Sequence, residues 1–416
     1  MAMDQTDEKA RKKQYTAADM NVLWSATTLL SKTQLPFPSG DQAQRLASAE
    51  AFRLNRRHRC TVTAKLPPPV ATFVVADEEA CDSVDCATLN ADATLCAASY
   101  DSKTVVWCLP VNNSKHSNGE EMSASKLYTS LFLPHGKQRF ELPTGRGTSC
   151  VDFSPDAPVL LTGSTRGQVG LWSIEAAQKL VSYSGLTSRT PVWDLEWCPA
   201  GAYFATGSGD SCARVWRSDI PFPVRVLPVG DDSSHCHLVK WHPSCQLLAA
   251  ASAQQITVFE VSGPASLFKF EFKQATAMEF SPTGYLLAAA NADTLTVWDT
   301  NTGSVLFRFD TFSRIVSLAW SHPSSSGLGD GGLKSVLQQS GTGHPVLISI
   351  DESGKLRLWD RLFVNKASVS ELSFGQALRP LHMHITPRNL LVMVGAKQSS
   401  DLSTLDCIRT LGSADA

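Results

Sequence analysis

The sequence predicts an all-β fold of about seven repeated sheets, a seven-bladed β-propeller, and three observations support that prediction. Six segments end in an aromatic at comparable places, each an apolar strand, a tight turn of small residues and a second alternating strand. They are LCAASYDSKTVVWCL, VLLTGSTRGQVGLWSI, YFATGSGDSCARVWRS, LLAAASAQQITVFEV, LLAAANADTLTVWDT and VLISIDESGKLRLWD, with their aromatics at Trp107, Trp172, Trp216, Phe259, Trp298 and Trp359. Ahead of each lies another strand and turn, with a proline soon after the strand's aromatic in five of the six. Proline cannot donate to a sheet ladder, so it suits the hairpin that follows such a strand.

The aromatics are spaced 65, 44, 43, 39 and 61 residues apart. The three shorter intervals match a repeat of about 40 to 45 residues that builds one four-stranded blade. The two longer ones contain polar insertions, SNGEEMSASK after the first unit and SSSGLGDGG inside the sixth, both expected as surface loops. A seventh, weaker unit runs from His382 to Arg409 without a terminal Trp. Closing such a fold calls for an N-terminal strand paired into the last blade, and Ala71 to Ala76 is the candidate. Within the repeats, strand alternation places Phe259 and Trp298 on buried faces packed between neighbouring sheets.

Residues 1–65 do not fit the repeat and are expected as a short arm, partly helical or disordered, with weak basic runs at KARKK and RRHR. The expected organisation is therefore arm 1–65, propeller 66–410 and tail 411–416.

Composition narrows the function. With 37 Lys+Arg against 39 Asp+Glu there is no basic field of the kind that drives binding to duplex DNA, so no direct nucleic-acid contact is expected. No apolar run approaches the roughly 18 to 20 residues of a membrane span, and the polar N-terminus does not read as a secretory signal. Eleven cysteines are scattered without a C-x-x-C pair. Several of them, Cys86, Cys96, Cys150 and Cys212, fall in apolar strand segments, which points to a reducing compartment.

No nucleophile elbow, phosphate loop, zinc-protease or dinucleotide motif occurs, so no catalytic residue, cofactor or small-molecule substrate is expected. The run His235-Cys236-His237 would put two imidazoles on one face of a strand, as would His382 and His384. Neither offers the four closely spaced ligands of a structural zinc site, and no metal is expected. The turn aspartates Asp101, Asp210, Asp293 and Asp351 recur from unit to unit, which turn chemistry explains better than catalysis.

The repeat resembles the WD repeat, and one family within that class matches more closely. Pro191 to Asp194, Tyr203 to Ser208, Ala213 to Trp216, Asp219 and Pro223 to Arg225 resemble a repeat of the WD-repeat subunit of the general transcription factor TFIID (TFIID subunit five) and its SAGA paralogue. Trp241 to Pro243 resembles the entry of the next repeat. The resemblance covers about residues 66 to 300 and thins out to 361. The Gly-His that opens such repeats is largely missing, with Gly185-Leu186 in its place before the third unit. The large helical N-terminal half of that family has no counterpart among the 65 or so residues ahead of the repeats.

The resemblance implies a non-catalytic scaffold, a component of a nuclear complex whose propeller supports histone-fold subunits, with the cytoplasm as a second location. The alternative is a WD-repeat recognition module of another assembly, such as a ubiquitin-ligase substrate receptor or an RNA-processing or ribosome-assembly scaffold.

Propellers bind through the face where their first strands begin. Counting back four places from the strand aromatics Phe153, Trp197, Trp241, Phe280 and Trp320 gives Ser149, Trp193, His237, Thr276 and Val316, and the first unit contributes Asp85. Arg146, Arg189 and Arg314 lie just before these strands. Trp and Arg are the residues most enriched at binding hot spots, so Trp193 with Arg189 is the expected anchor of a protein partner.

Overall fold

A computed structural model describes residues 62, 68, 70–75, 84–100, 102–109, 128–132, 139–186, 190–230, 235–263, 266–311, 313–323, 345–359, 371–373 and 378–397. The expected N-terminal helices, both polar insertions and Asp101 lie outside them.

After strand β1 (Val70–Val75), blade 1 is formed by β2 (Cys86–Leu89), β3 (Leu95–Ser99) and β4 (Thr104–Cys108). The chain then runs through β5 (Tyr128–Phe132) before β6 (Arg139–Leu142) completes that blade. Blade 2 comprises β7 (Thr148–Phe153), β8 (Val159–Ser164), β9 (Val169–Ser173) and β10 (Gln178–Tyr183). Blade 3 comprises β11 (Val192–Trp197), β12 (Tyr203–Ser208), β13 (Cys212–Arg217) and β14 (Pro223–Pro228). Blade 4 follows with β15 (Leu238–Trp241), β16 (Leu247–Ala251), β17 (Gln255–Glu260) and β18 (Ser266–Glu271). Blade 5 is β19 (Ala277–Phe280), β20 (Leu286–Ala290), β21 (Thr294–Asp299) and β22 (Val305–Asp310). Blade 6 is β23 (Ile315–Trp320), β24 (Leu347–Asp351), β25 (Lys355–Trp359) and β26 (Glu371–Ser373), and β27 (Leu378–Ile385) with β28 (Leu391–Lys397) begins blade 7.

The architecture is thus all-β, seven four-stranded sheets. Two compact units carry them, one holding blades 2 to 4 within Gly147–Ala275 and the other blades 1, 5, 6 and 7. In the second unit β1 does enter the last blade, as expected, shifted by one residue from the sequence reading. It pairs parallel with β28, Phe73 opposite Val394, and β5 adds on its far side, giving the order β27-β28-β1-β5. The third strand of the seventh blade therefore comes from β1.

The same local chemistry builds blade after blade. Second strands are rich in alanine because both faces are covered: Ala249, Ala250 and Ala251 in β16 and Ala288, Ala289 and Ala290 in β20 are all fully buried. The aromatic of the third strand packs under them, with Phe259 and Trp298 both buried as the alternation predicted. Where that aromatic is Trp, its indole N–H needs a partner once desolvated. Trp172 donates to Thr162 Oγ1, Trp216 to Thr206 Oγ1 and Trp359 to Ser349 Oγ, at 3.0, 3.0 and 2.8 Å. Trp216 stacks on Phe204 with rings 5.9 Å apart and 4° between planes.

The turn between first and second strands also repeats. The N–H of its fourth residue donates to the carbonyl of its first in Cys198–Gly201, His242–Cys245, Ser281–Gly284 and Thr386–Asn389. Its fourth residue has positive φ each time: Gly201 at 77°, Cys245 at 59°, Gly284 at 79° and Asn389 at 63°.

Two turn aspartates anchor buried arginines. Asp210 holds Arg214 in a two-pronged pair, with the Ser208 hydroxyl also on its carboxylate. Asp351 lies 3.3 Å from the Arg357 guanidinium and accepts from Ser313 and Ser353.

Candidate functional site

Three of the positions counted back from the strand aromatics share one backbone feature. The pairing register skips a residue between Thr148 and Cys150, between Val192 and Asp194, and between Ile315 and Ser317. Ser149, Trp193 and Val316 are therefore the extra residues of β-bulges, the device that re-aims one side chain out of the ladder alternation. Asp85, His237 and Thr276 sit on the equivalent rung just ahead of their strands, each N–H donating to the last residue of the second strand: Ser99, Ala251 and Ala290.

Most of these side chains are used within the fold. Ser149 Oγ donates to Val192 O at 2.5 Å and Thr276 Oγ1 to Ile315 O at 2.7 Å, each tying one blade to the next. His237 Nε2 lies 2.8 Å from Ala275 O. Arg314 pairs with Glu352 at 3.2 Å, both side chains more than half exposed, an ion pair worth about 0–1 kcal/mol. Arg146 and Asp85 are exposed. Arg189, the expected companion of Trp193, lies outside the described residues.

Trp193 differs from its counterparts. It is 44% exposed on a strand whose neighbours Val192 and Leu195 are buried. Its indole Nε1 lies 3.6 Å from where a Cβ on Gly209 would stand, and Pro191 Cδ would be only 2.9 Å from that Cβ. Glycine is thus required for the close approach, and Gly209 N–H donates to Pro191 O at 2.9 Å. His235, also exposed, meets the carbonyl of the same glycine, with Nδ1 2.7 Å from Gly209 O. Trp193, Pro191 and His235 thus all approach Gly209, a small platform with an exposed indole and an exposed imidazole around one glycine. Such a surface offers apolar area and hydrogen bonding to another chain and carries no nucleophile–base pair.

The i, i+2 spacing predicts His235 and His237 on one strand face, and the structure differs. They precede β15 and turn to different carbonyls, Gly209 and Ala275, with Cys236 fully buried between them. Among the described residues no group of three or more His, Cys, Asp or Glu is placed to hold a metal ion.

Beneath the platform, carboxylates of the first strands bind the backbone of the following blade. Asp152 accepts Trp197 N–H at 2.7 Å, Asp194 accepts Val239 N–H at 2.9 Å, and Glu196 accepts Trp241 N–H at 2.5 Å and Lys240 Nζ at 3.0 Å. Burial pushes the Asp152 carboxyl up to about 7, against the Trp197 N–H and Lys240, which favour its charge. The strand and motif pattern of the sequence does not announce this network. The acidic residue just ahead of the strand aromatic in VDFSP and LEWCP was its available signal.

Repeated four-stranded blades with bulged first strands, and a Trp–Ser/Thr bond inside three of them, define a seven-bladed WD-repeat β-propeller. The WD domain, G-beta repeat model matches residues 137–173 and 178–217, which run from β6, the last strand of blade 1, to β13, the third strand of blade 3. The chain is similar to transcription initiation factor TFIID subunit 5 of Caenorhabditis elegans, 26% identical over 60% of this chain and 41% of that protein. It is also similar to the SAGA complex/transcription factor TFIID complex subunit Taf5 of Schizosaccharomyces pombe, 29% identical over 18% of this chain and 14% of the relative. A mouse F-box-like/WD repeat-containing protein, TBL1X, is 25% identical over 40% of this chain and 30% of its own length. The chain spans about two fifths of the nematode relative's length and less of the other two.

Proposed function

We propose that this chain is a non-catalytic interaction scaffold, a nuclear component of a TFIID- or SAGA-like transcription complex that supports histone-fold subunits through its propeller. The observation that carries the reading is the Trp193 platform. A β-bulge turns out a large aromatic that the equivalent strands of blades 2 and 6 replace by Ser149 and Val316. The similarity to the nematode TFIID subunit supports the class of partner. The propeller is taken to span 66–410, between an arm at 1–65 and a tail at 411–416. Partners are protein subunits, with Arg189 and His237 as further contacts in the unit that carries Trp193, and Asp85, Arg146 and Arg314 as further contacts in the other. Direct contact with nucleic acid, membrane or a small-molecule substrate is not part of the proposal.

The test is affinity purification of the tagged full chain from its own cells, followed by mass spectrometry. Co-purifying TFIID or SAGA subunits of the histone-fold class support the reading. A set made of cullin adaptors, or of ribosome-assembly factors, would replace it with the other WD-repeat roles.

A further inference from the structure

In blades 3, 4 and 7 the turn between first and second strands places its fourth residue against the turn of the preceding blade. In blade 7 that residue is Asn389, whose amide accepts from His322 N at 2.7 Å and donates to His322 O at 3.0 Å. In blade 3 it is Gly201, where a Cβ would collide with Asp156 of blade 2. In blade 4 it is Cys245, and the group facing it is Cys198, first residue of the blade 3 turn. The two thiols are hydrogen-bonded to one another, and Cys245 packs against the buried cluster that contains Cys198. Cys245 holds φ at 59°, a position its sister turns give to glycine or asparagine.

We propose that Cys198 and Cys245 form a redox-active dithiol that closes to a reversible disulfide between blades 3 and 4 when a hydroperoxide reaches it. The asymmetry of the pair assigns the roles. Cys198 is 1% exposed, whereas Cys245 is partly exposed in its turn. The hydrogen bond from Cys198 lowers the Cys245 thiol below its usual range, while the same bond and burial raise Cys198.

Cys245 thiolate attacks one peroxide oxygen; the S–O bond forms, the O–O bond breaks, and hydroxide leaves and takes up a proton as water. Cys198 then attacks the sulfenic sulfur. The S–S bond forms, the S–O bond breaks, and the departing hydroxide takes the Cys198 proton as a second water. Two thiols and one hydrogen peroxide give one disulfide and two waters, with two electrons passing from sulfur to oxygen. A thiol reductant reverses the step by exchange. Intracellular disulfides of this kind are characteristically transient and redox-sensing.

The experiment uses the purified full chain, fully reduced and then exposed to hydrogen peroxide. Free thiols are blocked with an alkylating agent and the chain is digested under non-reducing conditions. Cys198 and Cys212 lie between the same two arginines, Arg189 and Arg214, so fragmentation must assign the linked residue. The expected product is a Cys198–Cys245 linked pair, lighter by two hydrogens and lost on reduction with dithiothreitol. Cys198→Ser is expected to leave Cys245 as a sulfenic acid captured by dimedone, and Cys245→Ser to leave Cys198 a free thiol. The proposal is overturned if the wild-type chain leaves both thiols alkylated after peroxide. It is equally overturned if Cys245 over-oxidises without linkage, or if oxidation joins the buried Cys212 and Cys236 instead. The wild-type measurement decides the matter whether or not the variants fold.

Discussion

Replacing Trp216 by alanine removes the side chain on which the packing of blade 3 is centred. Trp216 is fully buried, stacked on Phe204 and set edge-on to Tyr183 with centroids 5.7 Å apart. Truncating a buried aromatic to alanine costs about 3–5 kcal/mol, a sum of lost transfer energy and the cavity left behind. Thr206, itself fully buried, also loses the indole N–H at 3.0 Å, an unmet hydrogen bond that adds about 1 kcal/mol. The expected total is about 5 kcal/mol. Trp216→Phe keeps a ring over Phe204 and forfeits mainly the N–H bond and part of the volume, so about 2 kcal/mol is expected. Equilibrium urea unfolding followed by far-ultraviolet circular dichroism measures both, with the slope recorded for each variant. The reasoning is refuted if Trp216→Ala shifts the stability by less than about 1 kcal/mol, or if the two variants cost the same.

Two further perturbations test the charges inside blades 2 to 4. Asp152 is held up to about 7 by burial, whereas in the unfolded chain it titrates near the usual 3.8. Between these values the native state binds the extra proton, so stability falls as pH rises from 4 to 7 and is level above. Asp152→Asn, which keeps an oxygen for Trp197 N–H, is expected to flatten that decline, read from urea midpoints across this range; an unchanged slope would contradict it. For Asp210, burial opposes ionisation, but the Arg214 guanidinium and Ser208 hydroxyl outweigh it and hold the carboxyl below its usual range. Its contribution is present above the unfolded value and lost on acidification. Asp210→Asn is expected to cost about 2 kcal/mol at neutral pH, less than a fully buried pair because Asp210 keeps 18% exposure. A variant as stable as wild type would show that the pair contributes nothing.

The parts of this fold that depend on residue pattern were legible in the sequence. Alternation to an aromatic located the third strands, and the prolines located the hairpins. The closing strand that the sequence predicts at Ala71 to Ala76 stands at Val70–Val75. What stayed hidden depends on register. Nothing in PVWDLEW announces that Trp193 is the extra residue of a bulge, because a bulge is defined by the partner strand. For the same reason the count back from Trp197 leads to Trp193 without announcing its exposure. The pairing of β5 beside β1 joins segments about 58 residues apart, Val70 opposite Tyr128, and no local signal marks it. The His235-Cys236-His237 run looked like one strand face only on the assumption that β15 began three residues earlier than it does.

That Trp193 marks the surface through which this propeller holds its partners is tested most directly by one comparison. Tagged wild-type and Trp193→Ala chains are expressed at equal level in the same cells, matched by circular dichroism, and purified in parallel for quantitative mass spectrometry. Because Trp193 is 44% exposed, the fold is expected to survive with a change within about 1 kcal/mol. As a central aromatic hot spot its loss should cost about 2 kcal/mol or more of binding, a drop of roughly 30-fold in affinity. The account expects one or more complex subunits to fall away selectively from the folded variant. Retention of every partner at wild-type yield would contradict it.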